Sequence, residues 1–284
     1  MEPTSNNTRR GRWTRRVCLV ALAGMVAVQL AALAAYFRDQ RYLNDLMATL
    51  ASPTLPPSEQ AKQVLSYLSH LPSRTNDSYL FSPFLAFLRP TPRQVTVGGG
   101  DCADRSRLIV ALLELRGIHA AKWALFSPDD IPDHAVVELD AENGKMVVDG
   151  LFGLWFARPG GGYYGIHDLS KDSTILPNRV MSLRATHARP GADSLETYPL
   201  DSYVYTHPRS INWEKSAPMR MAYRVMHGLI GDRVDLLPRP TLAEQPALML
   251  VVLLAILECG VVFALFFLNR RARRKAPPAL PKTS

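Results

Sequence analysis

Cysteine is scarce in this chain: three residues in 284. Two of them, Cys18 and Cys259, lie inside long apolar runs, so Cys102 is the one cysteine of the water-facing part. A domain with one cysteine has no internal disulfide to form, and oxidation is a hazard to it rather than a support. A surplus of charge is missing from the middle as well. The formal +8 belongs to the ends. Residues 1–36 set five arginines against Glu2, giving +4, and residues 247–284 set six basic residues against Glu258, giving +5. Residues 37–246 are left with −1, which argues against a phosphate-binding surface and against nucleic acid as a partner. There is no internal repeat and no low-complexity tract.

What is present begins with two apolar runs. Val17–Tyr36 has twenty residues with Gln29 as its clearly polar member; Ala247–Leu268 has twenty-two with Glu258 as its charge. Each is long enough to cross a hydrocarbon core of about 30 Å. Arginines precede the first and follow the second, so the positive-inside rule predicts cytoplasmic tails at 1–16 and 269–284 and an outward domain at 37–246. The expected location is a cell membrane crossed twice, with the domain periplasmic or extracellular. A rival reading makes the first run a signal peptide cleaved after Ala32-Leu33-Ala34, but the run exceeds the usual h-region of about 7–15 residues. Gln29 and Glu258 lie at similar depth, roughly 15–18 Å from the cytoplasmic face. A protonated Glu258 meeting the Gln29 amide would hold the spans together by one hydrogen bond, worth about 1 kcal/mol. A partner protein of the envelope is the sharper use of the same two residues.

The outward domain opens with a leader, 37–56, closed by Pro53, Pro56 and Pro57. Ser58 is the expected N-cap of a helix through about Ser69. Pro72, Pro83, Pro90 and Pro92 make 71–97 read as extended loop. The core, about 58–157, centres on Gly98-Gly99-Gly100-Asp101-Cys102-Ala103-Asp104. Asp101 can cap a helix with Cys102 in its first turn, an apolar face of Leu108, Ile109, Leu112, Leu113 and Leu115, and a stop at Gly117. Ile118–Ser127, His134–Asp140 and Met146–Asp149 read as strands, the last two joined at Glu142-Asn143-Gly144-Lys145. One helix followed by an antiparallel sheet is an α+β pattern. Leu151, Phe152, Leu154, Trp155 and Phe156 suggest a lid over the sheet, and Glu214–Ile230 a helix interrupted by Pro218.

Cys102, His134 and Asp149 form the ordered set that acyl transfer by a thiol requires. The N–H groups and dipole at a helix start favour a thiolate. His134 can take and return a proton, and Asp149 can accept from the other ring nitrogen. Strand parity sharpens this. A two-residue loop sets Asp149 opposite Glu138, too far from His134. A four-residue loop, Ala141–Gly144, sets it opposite Val136, on the diagonal from His134 and within side-chain reach. Asp133 and Asp140 remain alternative partners for His134, and His119 reads as an ordinary strand-start residue.

These residues resemble the transglutaminase-like superfamily of papain-related cysteine enzymes, bacterial protease-like members included. The resemblance covers roughly residues 95–156 and rests on three motifs in order. They are Cys102 heading a helix that ends Leu115-Arg116-Gly117-Ile118, then His134-Ala135-Val136-Val137-Glu138, then Val148-Asp149-Gly150. It implies a papain-like core with Cys102 as nucleophile, His134 as base and Asp149 as orienter, and no cofactor or metal. It also implies an upstream oxyanion donor beside the Cys102 N–H, for which Gln94 is the candidate with Tyr79 behind it. Val136 stands where the family has an aromatic residue, and Gly150 where it has proline. Those departures, and the lack of calcium-binding acidic loops, weaken glutamine cross-linking more than they weaken the triad. The expected activity is therefore hydrolysis of an amide or peptide bond in a peptide or protein substrate, through a thioester. Cross-linking is the near alternative. A catalytically inactive domain that docks envelope partners is the other.

Overall fold

A computed structural model of the chain describes residues 5–73, 89–126, 132–185, 217–237 and 244–275, together with 198, 200, 205, 208–211 and 213. The chain divides into two units, Met1–Phe37 with Ala247–Ser284, and Arg38–Pro246.

The first unit is made of helices. Helix α1 (Ser5–Leu50) contributes its N-terminal part and α8 (Pro246–Lys275) runs nearly the whole second stretch. Trp13–Leu50 and Pro246–Phe267 are long and apolar enough to cross a membrane. Gln29 does not meet Glu258. Its Nε2 donates to the carbonyl oxygen of Val251 at 3.3 Å. That contact is seven residues, about 10 Å of helix, from Glu258. Depth counted from the two arginine clusters did not fix the register, because both helices run on past the apolar runs. Among the described residues, Glu258 Oε1 is buried with no hydrogen-bond partner.

In the second unit the expected leader is helix. α1 continues to Leu50, and Leu43 and Met47 are fully buried there. Nothing between Phe37 and Pro53 breaks a helix, and Leu43, Leu46, Met47 and Leu50 recur at helical spacing. α2 (Pro57–Leu68) begins after Pro56, two residues earlier than expected. Pro57 suits a first helical position, where its missing N–H costs nothing. Ser58 is therefore inside the helix, where its N–H and hydroxyl both donate to the Glu142 carboxylate, at 3.2 and 2.6 Å.

The proline-rich loop also hides a helix, α3 (Pro92–Gly98). Thr91 and Gln94 form a capping box, each side chain accepting from the other's backbone N–H. Gly99 follows at φ 71°, and a Cβ there would lie 1.8 Å from the carbonyl oxygen of Pro72. Only glycine fits that approach.

α4 (Cys102–Glu114) is the central helix. Every residue from Asp104 to Leu113 is buried. Leu108, Ile109, Leu112 and Leu113 are fully buried, worth on the order of 10 kcal/mol together at about 1.5–3 kcal/mol each. Gly117 stops the run at φ 70°. Four antiparallel strands follow in sheet order β1 (Ala120–Phe126), β2 (Pro132–Ala141), β3 (Gly144–Asp149) and β4 (Leu154–Trp155). The fold is mixed α+β. One sheet face, with Ala120, Val137, Leu139, Met146 and Val148, packs on α2 and α4. The other, with Trp123, Leu125, Val136 and Val147, packs under α5 (Ile166–Lys171) and α6 (Ile175–Ala185). The segment expected as a lid supplies β4 instead, because its alternating Phe152, Leu154 and Phe156 fill that second core. At the sheet edge, Lys122 and Glu244 form a buried ion pair at 3.2 Å. α7 runs Ala217–Ile230, with Pro218 in its first turn rather than interrupting it, and a 3-10 turn follows at Gly231–Leu236.

Candidate active site

Cys102 occupies the first position of α4. Asp101 is the N-cap, its carboxylate accepting from the Asp104 N–H at 2.7 Å. The thiol is half-buried. As a first-turn residue, Cys102 has a backbone N–H outside the helix's own hydrogen-bond ladder.

The β2–β3 register is the one expected from a four-residue loop, although the turn itself has two residues. Asp140 faces Lys145 and Val137 faces Val148. One more pair, Ala141 with Gly144, shortens the tip to Glu142-Asn143 without changing that register. Continued by one place, it sets Asp149 opposite Val136, diagonal to His134. His134 Nε2 and Asp149 Oδ2 are 2.6 Å apart, with both side chains fully buried. Asp149 Oδ1 accepts from the backbone N–H groups of Leu151, at 2.9 Å, and Phe152, at 3.2 Å. The carboxylate is thus locked in place. Asp140, the alternative orienter, is an exposed partner of Lys145; the side chain of Asp133 lies outside the described residues.

Burial of the His134 ring works against its protonation. The Asp149 carboxylate outweighs this through charge and hydrogen bond, Cys102 adds a smaller share of both kinds, and the pKa is pushed up to about 10. With Nε2 committed to Asp149, Nδ1 is the ring nitrogen left to serve the sulfur. The ring is therefore held in its charged form, with Asp149 balancing it and Cys102 adding to the rise.

Helix α4 fastens all three parts. Ser106 Oγ donates to the carbonyl of Ala135, next to His134, at 3.2 Å. Arg105 is fully buried. Its guanidinium donates to the carbonyls of Gly100, Leu68, Gly150, Leu151 and Leu71 at 2.9–3.4 Å. It ties the turn before Cys102 to the turn after Asp149. Gly150 packs against the same helix: a Cβ there would lie 2.7 Å from Ile109 Cδ1, the end of a side chain that can shift.

Aromatic rings cover the pair. Phe152 meets the His134 ring edge-on, with centroids 5.9 Å apart, and Tyr198 packs on Phe152 at 4.5 Å. Tyr205 packs on Phe156. Burial, with the Asp149 charge added, drives the Tyr205 phenol well above its ordinary value, so it stays neutral.

Sequence reasoning missed Arg105, Ser106, Tyr198 and Tyr205. Arg105 had a signal, a charge inside the apolar run three residues after Cys102; the tyrosines had none. Gln94, expected as an oxyanion donor, is exposed, with its carboxamide oxygen accepting from the Thr91 N–H at 2.8 Å. Tyr79 lies outside the described residues. Among the described residues no group of His, Cys, Asp and Glu is arranged to hold a metal ion. Compared with known proteins, the chain matches no family model, no curated protein and no solved structure.

Proposed function

We propose that the chain is a membrane-anchored, outward-facing cysteine acyl-transfer enzyme of transglutaminase-like type that hydrolyses an amide or peptide bond. What carries this reading is the buried His134–Asp149 pair, together with a half-buried thiol at the first position of a buried helix. The sulfur of Cys102 attacks the substrate carbonyl carbon, forming a C–S bond, while the Cys102 N–H faces the developing oxyanion. The C–N bond breaks as the His134 imidazolium protonates the leaving amine. Neutral His134 then takes a proton from water, whose oxygen attacks the thioester. The C–S bond then breaks, the acid leaves, and the sulfur recovers its bonding pair, with the proton from water on His134, as at the start. Asp149 keeps the ring in one orientation through both steps. Water is favoured over an amine acceptor, since Val136 lies where an aromatic gate would stand. The arginines flanking the two apolar helices support cytoplasmic ends and an outward domain.

An electrophilic peptidyl probe applied to membranes holding the full chain tests this. Wild type should be labelled on Cys102, and Cys102→Ala should not. Absent labelling, or equal labelling of both, refutes it.

One observation favours a second reading, an inactive domain that scaffolds envelope partners: the buried Glu258 Oε1 has no hydrogen-bond partner among the described residues. On that reading Cys102→Ala keeps the cellular phenotype and Glu258→Gln abolishes it.

A further inference from the structure

α7 is amphipathic, yet its apolar stripe faces water. Met221, Val225 and Leu229 are 69, 56 and 74% exposed. They recur every fourth residue, so they cover an arc of about 80° on one side of the helix. Another side is the packed one. Tyr223 sits against the Trp213 ring, with centroids 5.9 Å apart, and Met219, Tyr223 and Met226 are half-buried. Arg220 and Arg224, both exposed, form the third side, and α7 carries no acidic residue. A helix held along one edge, with an open apolar stripe and cations along one flank of it, fits the interface of an anionic bilayer.

Chain connectivity selects that occupant. Fifteen residues, 231–245, separate α7 from the apolar helix α8. Fully extended they would reach about 50 Å at most, and six of them are wound into the 3-10 turn Gly231–Leu236. That reach, at most about 50 Å, lets α7 contact the surface that α8 enters. We infer that α7 is a membrane-surface helix, with Met221, Val225 and Leu229 in the acyl boundary and Arg220 and Arg224 at anionic phospholipid headgroups. This rests on the membrane-anchored part of the proposed function and not on its chemistry.

The test uses the full chain with Cys18, Cys102 and Cys259 changed to Ser. Single nitroxide labels are attached through Met221→Cys, Arg224→Cys, Val225→Cys, Leu229→Cys or Ile256→Cys. Vesicles are phosphatidylethanolamine with one quarter phosphatidylglycerol. Collision rates with oxygen, which partitions into lipid, are compared with those of a water-soluble nickel chelate. The oxygen-to-nickel ratio at 221, 225 and 229 should exceed that at 224 at least fivefold and approach that at 256. It should fall severalfold in vesicles of phosphatidylcholine alone. A high ratio at 256 with equal, low ratios along α7 overturns the inference while leaving the anchor intact. A low ratio at 256 overturns both. Spin–spin broadening between labels at 225 makes the stripe a contact between two copies and overturns it too, and an unchanged ratio in phosphatidylcholine overturns the anionic-lipid assignment.

Discussion

Replacing Asp149 by Asn should remove most of the pH dependence of stability in the neutral-to-alkaline range. In the folded chain His134 is raised from 6.5 to about 10, chiefly by the Asp149 carboxylate acting against burial. A group whose folded pKa is raised stabilises the fold fully below its unfolded pKa, and the contribution is lost as pH rises through the folded value. The window is therefore about pH 6.5 to 10, and the slope is close to 1.4 kcal/mol per pH unit. Across the window the loss has a ceiling of about 5 kcal/mol. Cys102 supplies the smaller part of the rise, so the comparison is best made in a Cys102→Ala chain, where thiol ionisation does not enter. The carboxamide introduced by Asp149→Asn keeps an oxygen for the Leu151 and Phe152 N–H groups, which limits collateral damage. Urea unfolding of the full chain in micelles, followed by tryptophan fluorescence at pH 6.5, 8 and 10, reads the effect. Cys102→Ala alone should lose several kcal/mol across the series, and Cys102→Ala with Asp149→Asn should be nearly flat. Equal slopes would refute the claim that the carboxylate holds His134 charged.

Gly99→Ala should destabilise the fold by about 2–5 kcal/mol, since it combines a left-handed φ with a clash against the Pro72 carbonyl; the urea midpoint measures it. Thr91→Ala should cost about 1–2 kcal/mol by unmaking the α3 capping box and the Thr91–Asp39 hydrogen bond, read by the same midpoint. Lys122→Met strands Glu244 in a buried site and should cost about 3–5 kcal/mol, whereas adding Glu244→Leu should restore most of it; if the double variant is no better than the single, the pair is not what holds that edge.

Much of this arrangement was legible because the sequence carries it locally. Strand parity put Asp149 on the same sheet face as His134; the diagonal position followed from a four-residue loop, and the structure keeps that register with a two-residue turn at Glu142-Asn143. Asp101 and Gly117 marked the ends of α4. Where tertiary contacts decide, the reading failed. Prolines at 90 and 92 read as loop, although Thr91-Pro92-Arg93-Gln94 holds a capping box that only a short helix uses. The leader after Phe37 was not read as a helix, although Leu43, Leu46, Met47 and Leu50 recur at helical spacing and Leu43 and Met47 are buried. Ser58 read as a cap, and its actual partner, Glu142, is 84 residues away. Tyr198 and Tyr205 reach the site from a stretch without periodicity. Gln29 was expected to meet Glu258, but helix register depends on both partners, and Val251 took the bond.

The most direct test of the central claim is the rate at which iodoacetamide alkylates Cys102 at pH 7 in the full chain, followed by mass spectrometry of the peptide that contains it. Wild type should react at least tenfold faster than His134→Gln, and Asp149→Asn should fall between them. Equal rates in all three would mean that the ring and the carboxylate do not act on the sulfur, and the enzymatic reading would be contradicted.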